Sequence, residues 1–249
     1  MKAILCKSYG PPENLVLEEV QDLNPKEGEA LVEVHAAALN FPDTLQIAGE
    51  YQYQPPLPFS PGSEASGIII ELGPNIKGFE IGDRVMAIPG VGAMAEQVCV
   101  PASGLRKIPD SMNFKTASGF PMVYSTSYYA LKQRANLKPG ETLLVLGSSG
   151  GVGVTAVELG KLMGAQVIAG ASSEEKLQFA KKAGADFLVN YSDGDLKTKI
   201  KELTKGKGAD VIYDPVGGDL FDQATRCINW NGRLLVVGFT SRRIPEYKA

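Results

Sequence analysis

The chain is poor in the side chains that build metal sites and catalytic triads: 249 residues hold one histidine, His35, and three cysteines, Cys6, Cys99 and Cys227. No Ser/His/Asp set can be assembled around one histidine in an alternating strand pattern, where a packed or rim position accounts for it. Without paired cysteines there is no zinc-ligand spacing, so no metal is expected. The odd, widely spaced cysteines fit a reducing, cytoplasmic setting better than a disulfide framework. Long apolar runs are missing too. No stretch reaches the ~20 residues of a membrane span, and the short run Ala3 to Cys6 between two lysines is no secretory signal. Basic runs are likewise absent, and 25 Lys and Arg against 28 Asp and Glu give a net charge of −3, with no footprint for nucleic acid. The rest is ordinary for a globular chain, 44% hydrophobic and 21% charged, and long enough for two domains.

What is present is glycine in a telling place. Thr142-Leu143-Leu144-Val145-Leu146 reads as a strand and runs into Gly147-Ser148-Ser149-Gly150-Gly151-Val152-Gly153, after which a helical pattern starts at once. Strand, glycine turn and helix in that order suit a dinucleotide pyrophosphate, because bare backbone N–H groups approach phosphate and the helix N-terminus adds partial positive charge. The spacing is G-x-x-G-G-x-G rather than G-x-G-x-x-G, and tight turns also collect glycine. The repeating pattern downstream decides for a nucleotide site.

The two halves have different grammar. Residues 1–120 show short β-like runs, 30–35, 67–72 and 83–88, broken by Gly and Pro, which predicts a small, mostly β domain, a partly open barrel. Residues 121–249 open with a helix over 125–135. Strands at 142–146, 166–170, 186–190, 210–213 and 233–237 then alternate with helices at 151–163, 173–183, 195–205 and 219–229. That alternation predicts an α/β, doubly wound parallel sheet of five strands, with Gly164 and Gly184 closing helices and Ser172 with Glu175 forming a capping box. A dinucleotide fold generally has six strands. The polar tail Thr240–Ala249 supplies none, so the sequence reads as shortened at its C-terminus.

Cofactor choice is read at the end of the second strand of this half. No carboxylate follows Val167-Ile168-Ala169-Gly170, whereas Ser172 and Lys176 offer a hydroxyl and a cation one helical turn apart. Either they receive a 2′-phosphate, which favours NADP over NAD, or Ser172 merely caps its helix and Lys176 lies on a solvated face. In the first half, Asn40-Phe41-Pro42-Asp43 and Pro61-Gly62-Ser63-Glu64 read locally as turns.

At this point the residues resemble a known family. Ala38-Leu39-Asn40-Phe41-Pro42-Asp43, Pro61-Gly62-Ser63-Glu64-Ala65-Ser66-Gly67, Gly82-Asp83-Arg84-Val85, Leu137-Lys138-Pro139-Gly140-Glu141 and Tyr213-Asp214-Pro215-Val216-Gly217-Gly218 are similar to the zinc-independent quinone oxidoreductases. These are the zeta-crystallin-like branch of the medium-chain dehydrogenase/reductase superfamily. The resemblance implies a GroES-like domain, a Rossmann domain and an active site in the cleft between them. It places Asn40, Asp43 and Tyr51 with the chemistry. It places Thr126, Gly150, Gly151, Val152, Gly153, Ser172, Lys176, Tyr191, Val216 and Phe239 around NADP. Zinc-dependent relatives carry a ligand cysteine where Asn40 stands and a ligand histidine where Ser63 stands.

Two departures stand out. Leu45 replaces a tyrosine that many members have two residues after Asp43, leaving Tyr51 as the nearest phenol, and about a quarter of a typical member is missing at the end. The resemblance implies hydride transfer from NADPH to a quinone or an α,β-unsaturated carbonyl, with a small-molecule acceptor as partner and a homodimer for a full-length relative. An enoyl-thioester reductase and a shortened, non-catalytic dinucleotide-binding protein are the alternatives. An RNA-binding module is opposed by the acidic balance.

Overall fold

The computed structural model describes residues 1–244 and Glu246; Pro245 and Tyr247–Ala249, the end of the polar tail, lie outside the described residues. The chain divides into two compact units, Met1–Met122 and the remainder from Val123.

In the first unit, β1 (Lys2–Leu5) and β2 (Val16–Glu19) form an antiparallel pair. β3 (Glu29–Ala37) is followed by α1 (Phe41–Ala48), then β4 (Ala65–Leu72), β5 (Arg84–Ala87), β6 (Gln97–Pro101), β7 (Leu105–Lys107) and α2 (Phe114–Ser118). β3 to β7 make one antiparallel sheet in the order β6-β3-β4-β5-β7. Its core is Ala30, Val32, Ile69, Val85, Val98, Val100 and Leu105. Register shifts between Leu31 and Val32, and between Val34 and Ala36, bend β3 against β4 and curl the sheet into a half-barrel. The runs expected at 30–35, 67–72 and 83–88 are β3, β4 and β5. His35 is an exposed rim residue, its ring 4.5 Å from that of Phe114.

Then α3 (Pro121–Tyr128) crosses the division between units and widens into a π turn over Tyr129–Arg134. The helix expected at 125–135 therefore starts four residues earlier. Proline is pre-set for a first helical turn, and the widened end closes with Ala135 N–H donating to Ala130 O at 2.8 Å. In the second unit, β8 (Thr142–Val145), α4 (Gly151–Leu162), β9 (Gln166–Ala171), α5 (Glu174–Lys182), β10 (Phe187–Asn190), α6 (Leu196–Leu203), β11 (Ala209–Asp214), α7 (Gly218–Ala224) and β12 (Ile228–Val236) alternate as expected. All five strands are parallel, in the order β10-β9-β8-β11-β12.

Both faces of this sheet are covered, which is why its strands read as continuous apolar runs. Leu143, Val145, Val167, Ala169, Val211 and Tyr213 pack on one side; Leu144, Leu146, Ile168, Val189 and Ile212 pack on the other. The connections leave β8 in opposite directions, so the carboxyl ends of β8 and β11 open the crevice where such sheets take ligands.

Two sequence expectations fail locally. The helix expected to run to 229 stops at Ala224, because Cys227 N–H turns back to Ala224 O at 3.1 Å and Cys227 O is taken by Ala209 N–H at 2.9 Å. β12 thus begins early, shifts register after Ile228 and carries Trp230 out into solvent, 88% exposed. The helix cap is Ser173, whose Oγ accepts Lys176 N–H at 3.4 Å, and not Ser172. Among the described residues, no helix is long and apolar enough to cross a membrane.

Candidate functional site

In the second unit, the turn after β8 is held by Ser148. Its N–H and its hydroxyl both donate to Gly170 O, at 3.1 and 3.0 Å. Gly147 adopts φ +57, and a Cβ on Gly153 would fall 2.1 Å from Gly147 O, so the helix can fold back onto the turn only with glycine there. The N-cap of α4 is Gly150, which has no side chain to satisfy the first-turn N–H groups of Gly151, Val152 and Gly153. A Cβ on Gly150 would meet only Gly147 O, at 3.4 Å, so the space before these donors is open. Bare donors, an open approach and the positive end of a helix dipole fit a pyrophosphate.

The second wall comes from the turn after β11. Asp214 is fully buried, and its Oδ1 accepts Val216 N–H at 2.8 Å and Gly217 N–H at 2.9 Å. Burial pushes its carboxyl above the usual range. The turn so formed sets Val216 Cγ2 only 3.0 Å from where a Gly147 Cβ would lie, and Phe239 Cβ 3.1 Å from the equivalent point on Gly217. Val216 therefore flanks the glycine turn after β8, and Phe239 packs on the turn after β11.

At the end of β9, Ser172 Oγ is free of helix capping and instead accepts Lys176 Nζ at 3.0 Å, both side chains exposed. Of the alternatives open in the sequence, the cap is eliminated and an exposed hydroxyl–ammonium pair remains. Tyr191 is placed differently. Its ring lies 3.3 Å from where a Gly170 Cβ would be. Burial raises its phenol, while a hydrogen bond from the Gly147 backbone pulls the other way.

Thr126, half-buried on α3, sits beside a buried network that the sequence did not reveal. Ser127 Oγ lies 2.9 Å from Val152 O, 2.8 Å from Thr155 Oγ1 and 2.9 Å from Tyr213 Oη. Thr155 Oγ1 adds a bond to Val123 O at 3.1 Å. This knot ties α3 to the first turn of α4, and burial pushes the Tyr213 phenol up to about 12. Hydroxyls in otherwise apolar helices were the available signal.

In the first unit, Asn40 is the N-cap of α1, in a capping box with Asp43. Asp43 is 1% exposed, and its Oδ2 accepts the Asn40 backbone N–H at 2.7 Å. Burial raises its carboxyl against that hydrogen bond. The Asn40 side chain reaches Glu64, with Nδ2 donating to Oε1 at 2.8 Å. Glu64, read in the sequence only as part of a turn, is fully buried and also accepts Met122 N–H through Oε2 at 2.8 Å. Tyr51 is half-buried in the segment after α1. Among the described residues, no group of three His, Cys, Asp or Glu side chains is arranged to hold a metal ion.

Comparison with known proteins matches residues 26–110 to the alcohol dehydrogenase GroES-like domain family and residues 151–248 to the zinc-binding dehydrogenase family. The chain is 42% identical to a quinone oxidoreductase-like protein 2 homolog of Nematostella vectensis, over 100% of this chain and 68% of that protein. A 2-haloacrylate reductase of a Burkholderia species is 33% identical over 97% of the chain and 74% of the relative. Among solved structures, Escherichia coli quinone oxidoreductase complexed with NADPH superposes with a TM-score of 0.94 at 33% identity, covering 100% of this chain and 76% of that one.

Proposed function

The chain belongs to the quinone oxidoreductase-like branch of the medium-chain dehydrogenase/reductase superfamily, and from that premise we propose that it reduces quinones or α,β-unsaturated carbonyls with NADPH and without zinc. The observation that carries this reading is the uncapped glycine N-terminus of α4 with the Ser172–Lys176 pair beyond it. The first-turn N–H groups of Gly151, Val152 and Gly153 hold the pyrophosphate. Ser172 and Lys176 take the 2′-phosphate as a hydroxyl donor and a cation, and Tyr191 walls that end of the site. Thr126, Val216 and Phe239 line the remainder. When bound, NADPH supplies the hydride that reduces the acceptor.

Asn40 polarises the acceptor oxygen by donating a hydrogen bond from Nδ2, so negative charge that builds there is stabilised. Asp43 works from behind, as the buried partner that fixes the start of α1. The proton comes from solvent or from the Tyr51 hydroxyl. An amide at 40 and a hydroxyl at 63 make a poor zinc donor set, and both oxygens of the adjacent Glu64 are taken by hydrogen bonds. The similarity to a 2-haloacrylate reductase supports conjugated alkenes as acceptors alongside quinones.

The test is a fluorescence titration with NADPH beside NADH, followed by NADPH consumption with p-benzoquinone. Tighter NADPH binding and a turnover that Asn40→Ala lowers by about 10²-fold are expected. Equal affinity for the two cofactors, or unchanged turnover in Asn40→Ala, overturns the reading.

A further inference from the structure

Among the polar groups of the first unit, Glu64 is costly to place. It is fully buried, and the charged neighbour acting on it is Asp43, of the same sign. A carboxylate buried without a cation is retained only where its hydrogen bonds do something specific. Capping the start of α3 through Met122 needs a single acceptor. Elsewhere one oxygen suffices: Asn113 Oδ1 caps α2 by accepting Thr116 N–H at 2.8 Å. The second Glu64 oxygen is given to Asn40.

We propose that Glu64 is a positioning residue: its carboxylate bridges Asn40 Nδ2 to the Met122 main chain and thereby fixes which way round the Asn40 carboxamide lies. A carboxylate can only accept, so only the NH2 end of the amide can face it. On the helix side the hydrogen bonds hold the Asn40 main chain: Asp43 N–H donates to Asn40 O at 3.1 Å, and Asp43 Oδ2 accepts Asn40 N–H at 2.7 Å, so the hold on the carboxamide itself is the one from Glu64. The bond to Glu64 selects one orientation, in which one Nδ2 hydrogen is tied to Glu64 and the second is left for an acceptor atom of the substrate. The raised Glu64 carboxyl agrees with this placement: burial drives it up, and the hydrogen bonds from Asn40 and Met122 oppose the rise. The inference rests on the role proposed for Asn40 and names what makes that role possible.

Glutamine at position 64 is nearly isosteric but has one acceptor, so it cannot serve both donors. Whichever it serves, an N–H confronts the other. The side-chain amide signals of Asn40, identified by their loss in Asn40→Ala, report this directly by nuclear magnetic resonance. In the unaltered chain, one Nδ2 proton is shifted downfield and slow to exchange while its partner is ordinary. In Glu64→Gln and in Glu64→Asp, whose shorter carboxylate cannot span both donors, that difference collapses while NADPH still binds.

With p-benzoquinone and NADPH, Glu64→Gln lowers kcat by about 10-fold with little change in the KM for NADPH. The double variant with Asn40→Ala is no slower than Asn40→Ala alone, because Glu64 acts through Asn40. Unchanged Asn40 amide signals in Glu64→Gln, or additive losses in the double variant, overturn the proposal. If Asn40→Ala leaves turnover intact, the function assigned to Asn40 fails instead, and the amide signals still decide whether Glu64 holds it.

Discussion

Arg233 meets Glu141 fork to fork: Nη1 donates to Oε1 at 2.8 Å and Nη2 to Oε2 at 2.7 Å, while Nε donates to Ala135 O at 3.0 Å. The pair joins β12, at the edge of the parallel sheet, to the turn that opens β8. Neither side chain is more than a third exposed, at 32% and 22%, so the pair is screened less than a surface ion pair. Replacing Arg233 with alanine lowers unfolding free energy by about 1–2 kcal/mol, measured by urea denaturation followed by circular dichroism.

The same pair sets a pH dependence. The hydrogen bond from Arg233 holds the Glu141 carboxyl below the usual range. The folded chain thus binds that proton more weakly than the unfolded one. The contribution is complete above the unfolded value of about 4.3 and is lost as pH falls through the lower folded value. The Tm difference between the unaltered chain and Glu141→Gln is steady above about pH 5 and narrows as pH is lowered below about 4. A constant gap would show that the pair does not stabilise the fold.

Ser172 and Lys176 discriminate the 2′-phosphate in the proposed site. Lys176→Ala weakens NADPH binding by about 10-fold, or about 1.4 kcal/mol, and leaves NADH untouched. Parallel fluorescence titrations check this, and an equal loss for both cofactors would assign the lysine to something other than the phosphate.

The two glycines of the α4 turn part company on substitution. Gly153→Ala drives a methyl into backbone, 2.1 Å from Gly147 O, and costs about 2–3 kcal/mol or more in stability. Gly150→Ala meets nothing nearer than 3.4 Å, so it folds normally, yet its methyl enters the approach to the helix N-terminus and weakens NADPH binding. Thermal melts and titrations on the two variants separate the effects.

Ser127 and Tyr213 carry unequal weight in the buried knot. Tyr213→Phe leaves Ser127 with Val152 O and Thr155 Oγ1 as partners and costs about 1 kcal/mol. Ser127→Ala strands the Tyr213 hydroxyl, which is hydrogen-bonded to Ser127 Oγ, and costs about 2–3 kcal/mol. Urea denaturation giving the reverse order would mean the phenol finds another partner or water.

The parallel sheet was legible because its signals are local: β8 to β12 are apolar runs set off by glycines, and Gly164 and Gly184 close their helices at φ +81 and +109. The four short strands β1, β2, β6 and β7 were not legible, since a few residues with mixed exposure become strand only through partners far along the chain. Glu64 was hidden for the same reason. Its two hydrogen-bond partners lie 24 and 58 positions away, and nothing in Pro61-Gly62-Ser63-Glu64 announces a buried bridge. The sequence reading placed the helix cap at Ser172, one residue too early, because adjacent serines differ by a single step of register that only the backbone geometry fixes.

The outward turn of β12 has a practical corollary. Trp230 is the chain's one tryptophan, and in the folded protein its indole already stands almost wholly in water. Its native emission therefore resembles that of the unfolded chain, and directly excited indole fluorescence stays nearly silent through denaturation. A flat emission trace is no sign of a resistant fold. The same indole becomes a clean sensor of anything that later covers that edge, because a blue shift there requires a new neighbour rather than a change in the core.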